Sequence, residues 1–136
     1  MKNKHQYSFL YFFVFFLFFS CNKNNNQNSE GNTTISVAEF AKKIKEDKNV
    51  VILDVRTLQE YTQEHLPNAI LENIQEDSFE ATIAKMDKNK TYLLYCKIGS
   101  RSSKALETMK TAGFKQVFHL DGGMVDWKKA GEKTAK

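Results

Sequence analysis

The chain has 136 residues, room for one domain of ordinary size. Its formal net charge is +4, half of it from Lys2 and Lys4, and the remaining lysines are scattered along the chain without a cluster, which argues against nucleic acid as a partner. Two cysteines are too few for a disulfide framework.

Lys2 and Lys4 lead into Phe9–Phe19, FLYFFVFFLFF, an uncharged apolar and aromatic run. A bilayer-spanning helix needs about 20 such residues, so this shorter run reads as the h-region of a signal peptide over residues 1–20. Ser20-Cys21 at its end resembles the processing site of bacterial lipoproteins, where a small residue precedes the cysteine that is lipidated. That resemblance implies lipidation of Cys21 and a membrane-anchored, exported protein of the cell envelope or periplasm; ordinary signal cleavage nearby is the alternative. More than one acyl chain would make such an attachment stable. Residues 22–34, NKNNNQNSEGNTT, hold six asparagines and no large apolar side chain. They cannot bury enough surface to offset their ordering entropy, and are expected to form, with Cys21, a flexible tether over 21–34. The folded domain is then expected over 35–134.

Ser36-Val-Ala-Glu39 is a capping box, and Val37, Phe40, Ala41 and Ile44 recur at helical spacing, predicting a helix over 37–46. Val50–Asp54 is a β-branched apolar run suited to a strand buried on both faces. Thr57-Leu-Gln-Glu60 is a second capping box, opening a short helix that ends before Pro67. A short strand is expected at 69–71, and a helix from Asp77 to about Met86. Thr91–Tyr95 reads as a strand, 102–111 as a helix ended by Gly113, 116–120 as a strand, Gly122-Gly123 as a turn and 124–130 as a last helix carrying Trp127. Strands alternating with helices predict an α/β fold, a central parallel sheet with helices on both faces.

Cys96 stands at the carboxyl end of the predicted strand 91–95, where ligands gather in such sheets. The stretch Lys97-Ile98-Gly99-Ser100-Arg101 that follows can curl into a cup of inward-pointing amides, with a helix starting near Ser102 adding its positive end. Gly99 permits a left-handed or close-approach conformation, and Lys97 and Arg101 add full charge. These features favour a thiolate, the nucleophilic form of cysteine. The competing reading is a small buried core thiol.

Cys96-Lys-Ile-Gly-Ser-Arg-Ser102 resembles the active-site loop of the rhodanese family, Cys-Arg-x-Gly-x-Arg-Ser or close to it. Asp54-Val-Arg56, Glu60-Tyr61 and His65-Leu-Pro67 with Ala69 are similar to a second family block, and VFHLDGGMVDW over 117–127 to a third. The resemblance implies a rhodanese-like domain acting as a sulfurtransferase. Cys96 would take the outer sulfur of a small anionic donor such as thiosulfate and pass it from a persulfide to a thiophilic acceptor. Lys97, Ile98, Gly99, Ser100, Arg101 and Ser102 would bind the substrate, and no metal or organic cofactor is implied. Asp54 and Arg56 would support the site, Asp54 by bracing the loop or Arg101, Arg56 by pairing with Glu60 or another local carboxylate. His65 would be a hydrogen-bonded turn residue. Lys97 replaces a common arginine, Asn68 a usual glycine, and Glu64 the glycine before His65, which leaves that turn's geometry open. A monomer is expected, with thioredoxin-like proteins as further partners. Two other functions stay open: a non-catalytic binding or sensing module, and a cysteine phosphatase of the same fold, disfavoured because phosphatases carry one more residue between Cys and Arg.

Overall fold

The computed structural model describes residues 32–136. The residues expected to form the signal peptide, Cys21 and the expected tether as far as Gly31 lie outside the described residues. Ten elements follow in order: β1 (Asn32–Ile35), α1 (Val37–Glu46), β2 (Val51–Asp54), α2 (Leu58–Gln63), β3 (Ile70–Leu71), α3 (Phe79–Ile83), β4 (Thr91–Tyr95), α4 (Ser100–Thr111), β5 (Gln116–Leu120) and α5 (Gly123–Lys129). The strands form one parallel sheet in the order β1-β5-β4-β2-β3, so β4 is central and Cys96 leaves its carboxyl end.

Both capping boxes form. The Ser36 hydroxyl accepts from the Glu39 N–H at 3.3 Å while the Glu39 carboxylate accepts from the Ser36 N–H at 3.0 Å, and Thr57 and Glu60 repeat the arrangement. Side chains alternate across the sheet. Leu93 and Tyr95 face one layer with Phe40 of α1 and Trp127 of α5; Tyr92, Leu94 and Cys96 face the other with Phe79 and Ile83 of α3 and Ala105, Leu106 and Met109 of α4. Each large side chain so buried contributes about 1.5–3 kcal/mol. The predicted α/β architecture, with helices on both faces of a parallel sheet, is what the chain adopts.

Several boundaries differ from expectation. Asn32–Thr34, expected in the tether, are part of β1, paired with β5 from Asn32↔Val117 to Ile35↔Leu120. A polar edge strand needs only backbone partners on one side, so its composition conceals it. At the other end the fold extends past 134: Ala135 exchanges backbone hydrogen bonds with His65 at 2.9 and 2.7 Å. α3 stops at Ile83 because Lys85 and Met86 bond to Thr82 and Ile83, three residues back, which tightens the last turn. α4 starts at Ser100, two residues before the expected start, with Gly99 as its N-cap.

Candidate active site

Cys96 Sγ sits at the floor of a cup formed by residues 97–102. The Gly99 N–H donates to it at 3.1 Å, and the Ser102 hydroxyl approaches at 3.6 Å. Gly99 has φ +101°, a left-handed conformation that glycine adopts without strain, and this turns its amide back toward the sulfur. Two carbonyls at the start of the loop bond to α5. Cys96 O accepts from Met124 N–H at 2.8 Å and Lys97 O from Val125 N–H at 3.1 Å, so the start of α5 holds the loop's peptide planes. Gly123 makes that approach possible: a Cβ there would lie 2.4 Å from Cys96 O and 2.8 Å from Lys97 C and O. The Gly-Gly pair, expected only as a turn, therefore shapes the cup.

Burial pushes the Cys96 thiol up, but the Ser102 amide and hydroxyl and the amides of Ile98 and Gly99 more than offset it and hold the thiol below its ordinary value. Cys96 is 0% exposed and packs with the apolar layer of Leu94 and Ala105, yet hydrogen-bond donors converge on its sulfur.

The charged residues pair differently from expectation. Arg101 donates to Glu60 through both terminal nitrogens, at 2.7 and 2.8 Å, so Glu60 and not Asp54 is its carboxylate. Arg101 holds the Glu60 carboxyl down at about 2, helped by the Thr57 amide and hydroxyl. Asp54, 0% exposed, accepts instead from Arg56 at 2.6–3.0 Å and from the Tyr95 hydroxyl, which itself accepts from the Leu66 N–H at 3.0 Å. Arg56 also donates to Glu64 O at 2.7 Å. Arg56 pairs with a local carboxylate as expected, and the Asp54 unit ties β2, β4 and the 64–66 turn together behind the cup.

Ser100 is exposed at the start of α4; Lys97 and Ile98 are exposed on the rim, Ile98 at 62%. Among the described residues Lys97 has no ion-pair partner, so it is the uncompensated cation of the loop. It borders a cavity of about 210 Å³ shared with Glu60, Gln63, Val125 and Lys128. A roomier cavity of about 490 Å³ between α3 and α4 is lined by Ile83, Lys104 and Thr111 and is not bordered by Cys96. His65 is a hydrogen-bonded turn residue as expected, its Nδ1 3.0 Å from Tyr61 O and its ring stacked on Tyr61. Glu64 needs no glycine conformation: its φ of −170° is extended, and its carboxylate accepts from Lys128 and Thr134. Asn68 takes φ +63°. Sequence reasoning missed His119, which lies 3.2 Å from the Ser102 hydroxyl. Its signal was a histidine among the apolar residues Val117, Phe118 and Leu120.

An open parallel sheet with a cysteine loop of this length at the end of its central strand defines a class of small cysteine-loop α/β domains. The rhodanese-like domain model matches residues 36–130, most of the chain, and the chain belongs to that family. It is 36% identical over 93 residues to YrkF of Bacillus subtilis, named as a sulfur carrier protein, covering 68% of this chain and 49% of that one. It is 34% identical over 97 residues to MoeZ of Mycobacterium tuberculosis, named as an adenylyltransferase/sulfurtransferase, covering 71% and 25%. The chain thus spans half or less of the length of these two relatives. A crystal structure of a rhodanese-related protein from Thermoplasma volcanium superposes with a TM-score of 0.66 at 26% identity, covering 76% of this chain and 97% of that one.

Proposed function

We propose that the domain is a sulfurtransferase that carries sulfane sulfur on Cys96. The observation that carries this reading is the Gly99 N–H on Sγ at 3.1 Å, at the start of α4, in a loop with four residues between Cys96 and Arg101. The Cys96 thiolate attacks the outer sulfur of an anionic donor such as thiosulfate. A sulfur–sulfur bond forms to Cys96, the donor's sulfur–sulfur bond breaks, and sulfite leaves with that electron pair. The terminal persulfide sulfur is an anion, and the cup's amides stabilise it as they stabilise the thiolate. Cyanide or a thiolate then attacks that outer sulfur and restores the Cys96 thiolate. Relatives named for sulfur carriage and sulfur transfer support the reading.

Donor recruitment falls chiefly to Lys97, because the charge of Arg101 is compensated by Glu60. The donor must displace part of the loop to reach a sulfur with no exposed surface. The short loop leaves little room for a tetrahedral phosphate, which favours sulfur over phosphate esters. Attachment to the envelope through a lipidated Cys21, with exchange partners of thioredoxin type, belongs to the same proposal; incorporation of labelled fatty acid, lost in Cys21→Ser, tests it.

The enzymatic test is steady-state assay of the full chain with thiosulfate and cyanide, alongside an aryl phosphate. Thiocyanate release that disappears in Cys96→Ser is expected. Phosphate release without thiocyanate overturns the reading in favour of a phosphatase, and neither product overturns it in favour of a binding module.

A further inference from the structure

His119 lies on β5 with 5% of its surface exposed. In register it pairs with Leu94 of β4 and Thr34 of β1, and alternation along β4 and β5 puts it on the same face of the sheet as Cys96. Its Nε2 is 2.8 Å from the Thr34 hydroxyl, and its Nδ1 is 3.2 Å from the Ser102 hydroxyl. Ser102, buried in the first turn of α4, is in turn 3.6 Å from Cys96 Sγ and 3.1 Å from Gly99 O. A continuous line of polar atoms therefore runs from the exposed edge strand to the buried sulfur.

We propose that His119 is a positioning residue for Cys96: its Nδ1–H donates to Ser102 Oγ and so turns the serine proton toward the sulfur. The inference rests on Cys96 being the reacting nucleophile.

A neutral imidazole has one donor and one acceptor nitrogen, so the line has two arrangements. With the proton on Nδ1, Thr34 donates to Nε2, Nδ1–H donates to Ser102, and the Ser102 proton is released to Sγ or to Gly99 O. With the proton on Nε2, Nδ1 competes for the Ser102 proton, so the Ser102 hydroxyl turns its lone pairs to the sulfur and only the loop amides still donate to it. A thiolate polarises a hydrogen-bond chain toward itself, which selects the first arrangement. Burial keeps His119 in its neutral form by lowering its pKa, against the opposing pull of Asp121. The only full charge acting on Cys96 from the first turn of α4 is Arg101. Because β1 holds Thr34 in place, the strand hidden in the asparagine-rich segment completes the line that reaches the site.

The test is titration of the Cys96 thiolate by ultraviolet absorbance in the full chain carrying Cys21→Ser, with Cys96→Ser added as the blank. It needs no sulfur donor, so failure here and failure of turnover with thiosulfate are separate results. His119→Leu is expected to move the titration to higher pH and to cut the thiolate fraction below the midpoint by up to about tenfold, the order of one hydrogen bond to a charged group. Ser102→Ala is expected to move it at least as far, and the double variant no further than Ser102→Ala alone. His119→Asn, whose amide can donate from nearly the place of Nδ1, should restore most of the loss. An unmoved titration in His119→Leu, or shifts that add in the double variant, overturns the proposal. If His119→Leu does not fold, the exposed Thr34→Val decides: a smaller shift in the same direction supports the line, and no shift overturns it.

Discussion

Replacing Glu60 by glutamine removes the charge that holds Arg101 while leaving the α2 cap formed, because glutamine also serves at N3 of a capping box. The carboxyl is held from 4.5 down to about 2, first by hydrogen bonds of 2.7 and 2.8 Å from Arg101. At about 1.4 kcal/mol per pK unit this corresponds to about 3 kcal/mol. The two side chains are 24% and 26% exposed, so solvent screening reduces the pair to about 1–2 kcal/mol. The folded pKa lies below the unfolded one, so this stability is present above about pH 4.5 and is lost as the pH falls toward 2. Urea unfolding of Glu60→Gln at neutral pH should show a loss of about 1–2 kcal/mol, or about 5–10 °C in Tm. The loss should shrink as the pH falls toward 2, where about half of the wild-type carboxyl is itself protonated, and vanish below that. Equal stabilities at neutral pH, or a difference that persists unchanged at low pH, would refute the pairing.

Gly123→Ala places a Cβ 2.4 Å from Cys96 O in a residue with φ +55°, against backbone that cannot swing aside. It is expected to cost about 2–3 kcal/mol by denaturant unfolding and to abolish thiocyanate release. Tyr95→Phe leaves the Leu66 N–H unpaired and deprives Asp54 of a donor; a stability loss of about 1–3 kcal/mol is expected, with the Cys96 titration unmoved. Lys97→Ala should raise KM for thiosulfate several-fold with kcat nearly unchanged, and the effect should fade in high salt; a fall in kcat alone would contradict its role as a recruiting charge.

The helices were legible in the sequence because their signals are local: Ser36 with Glu39 and Thr57 with Glu60 are three residues apart. So was the cysteine loop, since Cys96, Gly99 and Arg101 share one short stretch. The pairings were not legible, because the partner of Arg101 is 41 residues away on a helix that the topology alone brings alongside. Asp54 and Arg56 follow the opposite logic. Their bond is two residues long, yet which carboxylate each arginine takes depends on how β2 and β4 place Tyr95 and α4. β1 stayed hidden because an edge strand is held by backbone hydrogen bonds, for which asparagine and threonine serve. His119 stayed hidden because its contacts are to Thr34 and Ser102, on elements far apart in the chain.

The central claim, that Cys96 carries sulfur, is tested most directly by the intact mass of the protein after incubation with thiosulfate and removal of the excess. The account predicts a gain of one sulfur atom, mapped to Cys96, absent from Cys96→Ser and removed by cyanide with stoichiometric thiocyanate. An unchanged mass, or an added sulfur mapped to Cys21 alone, would contradict it.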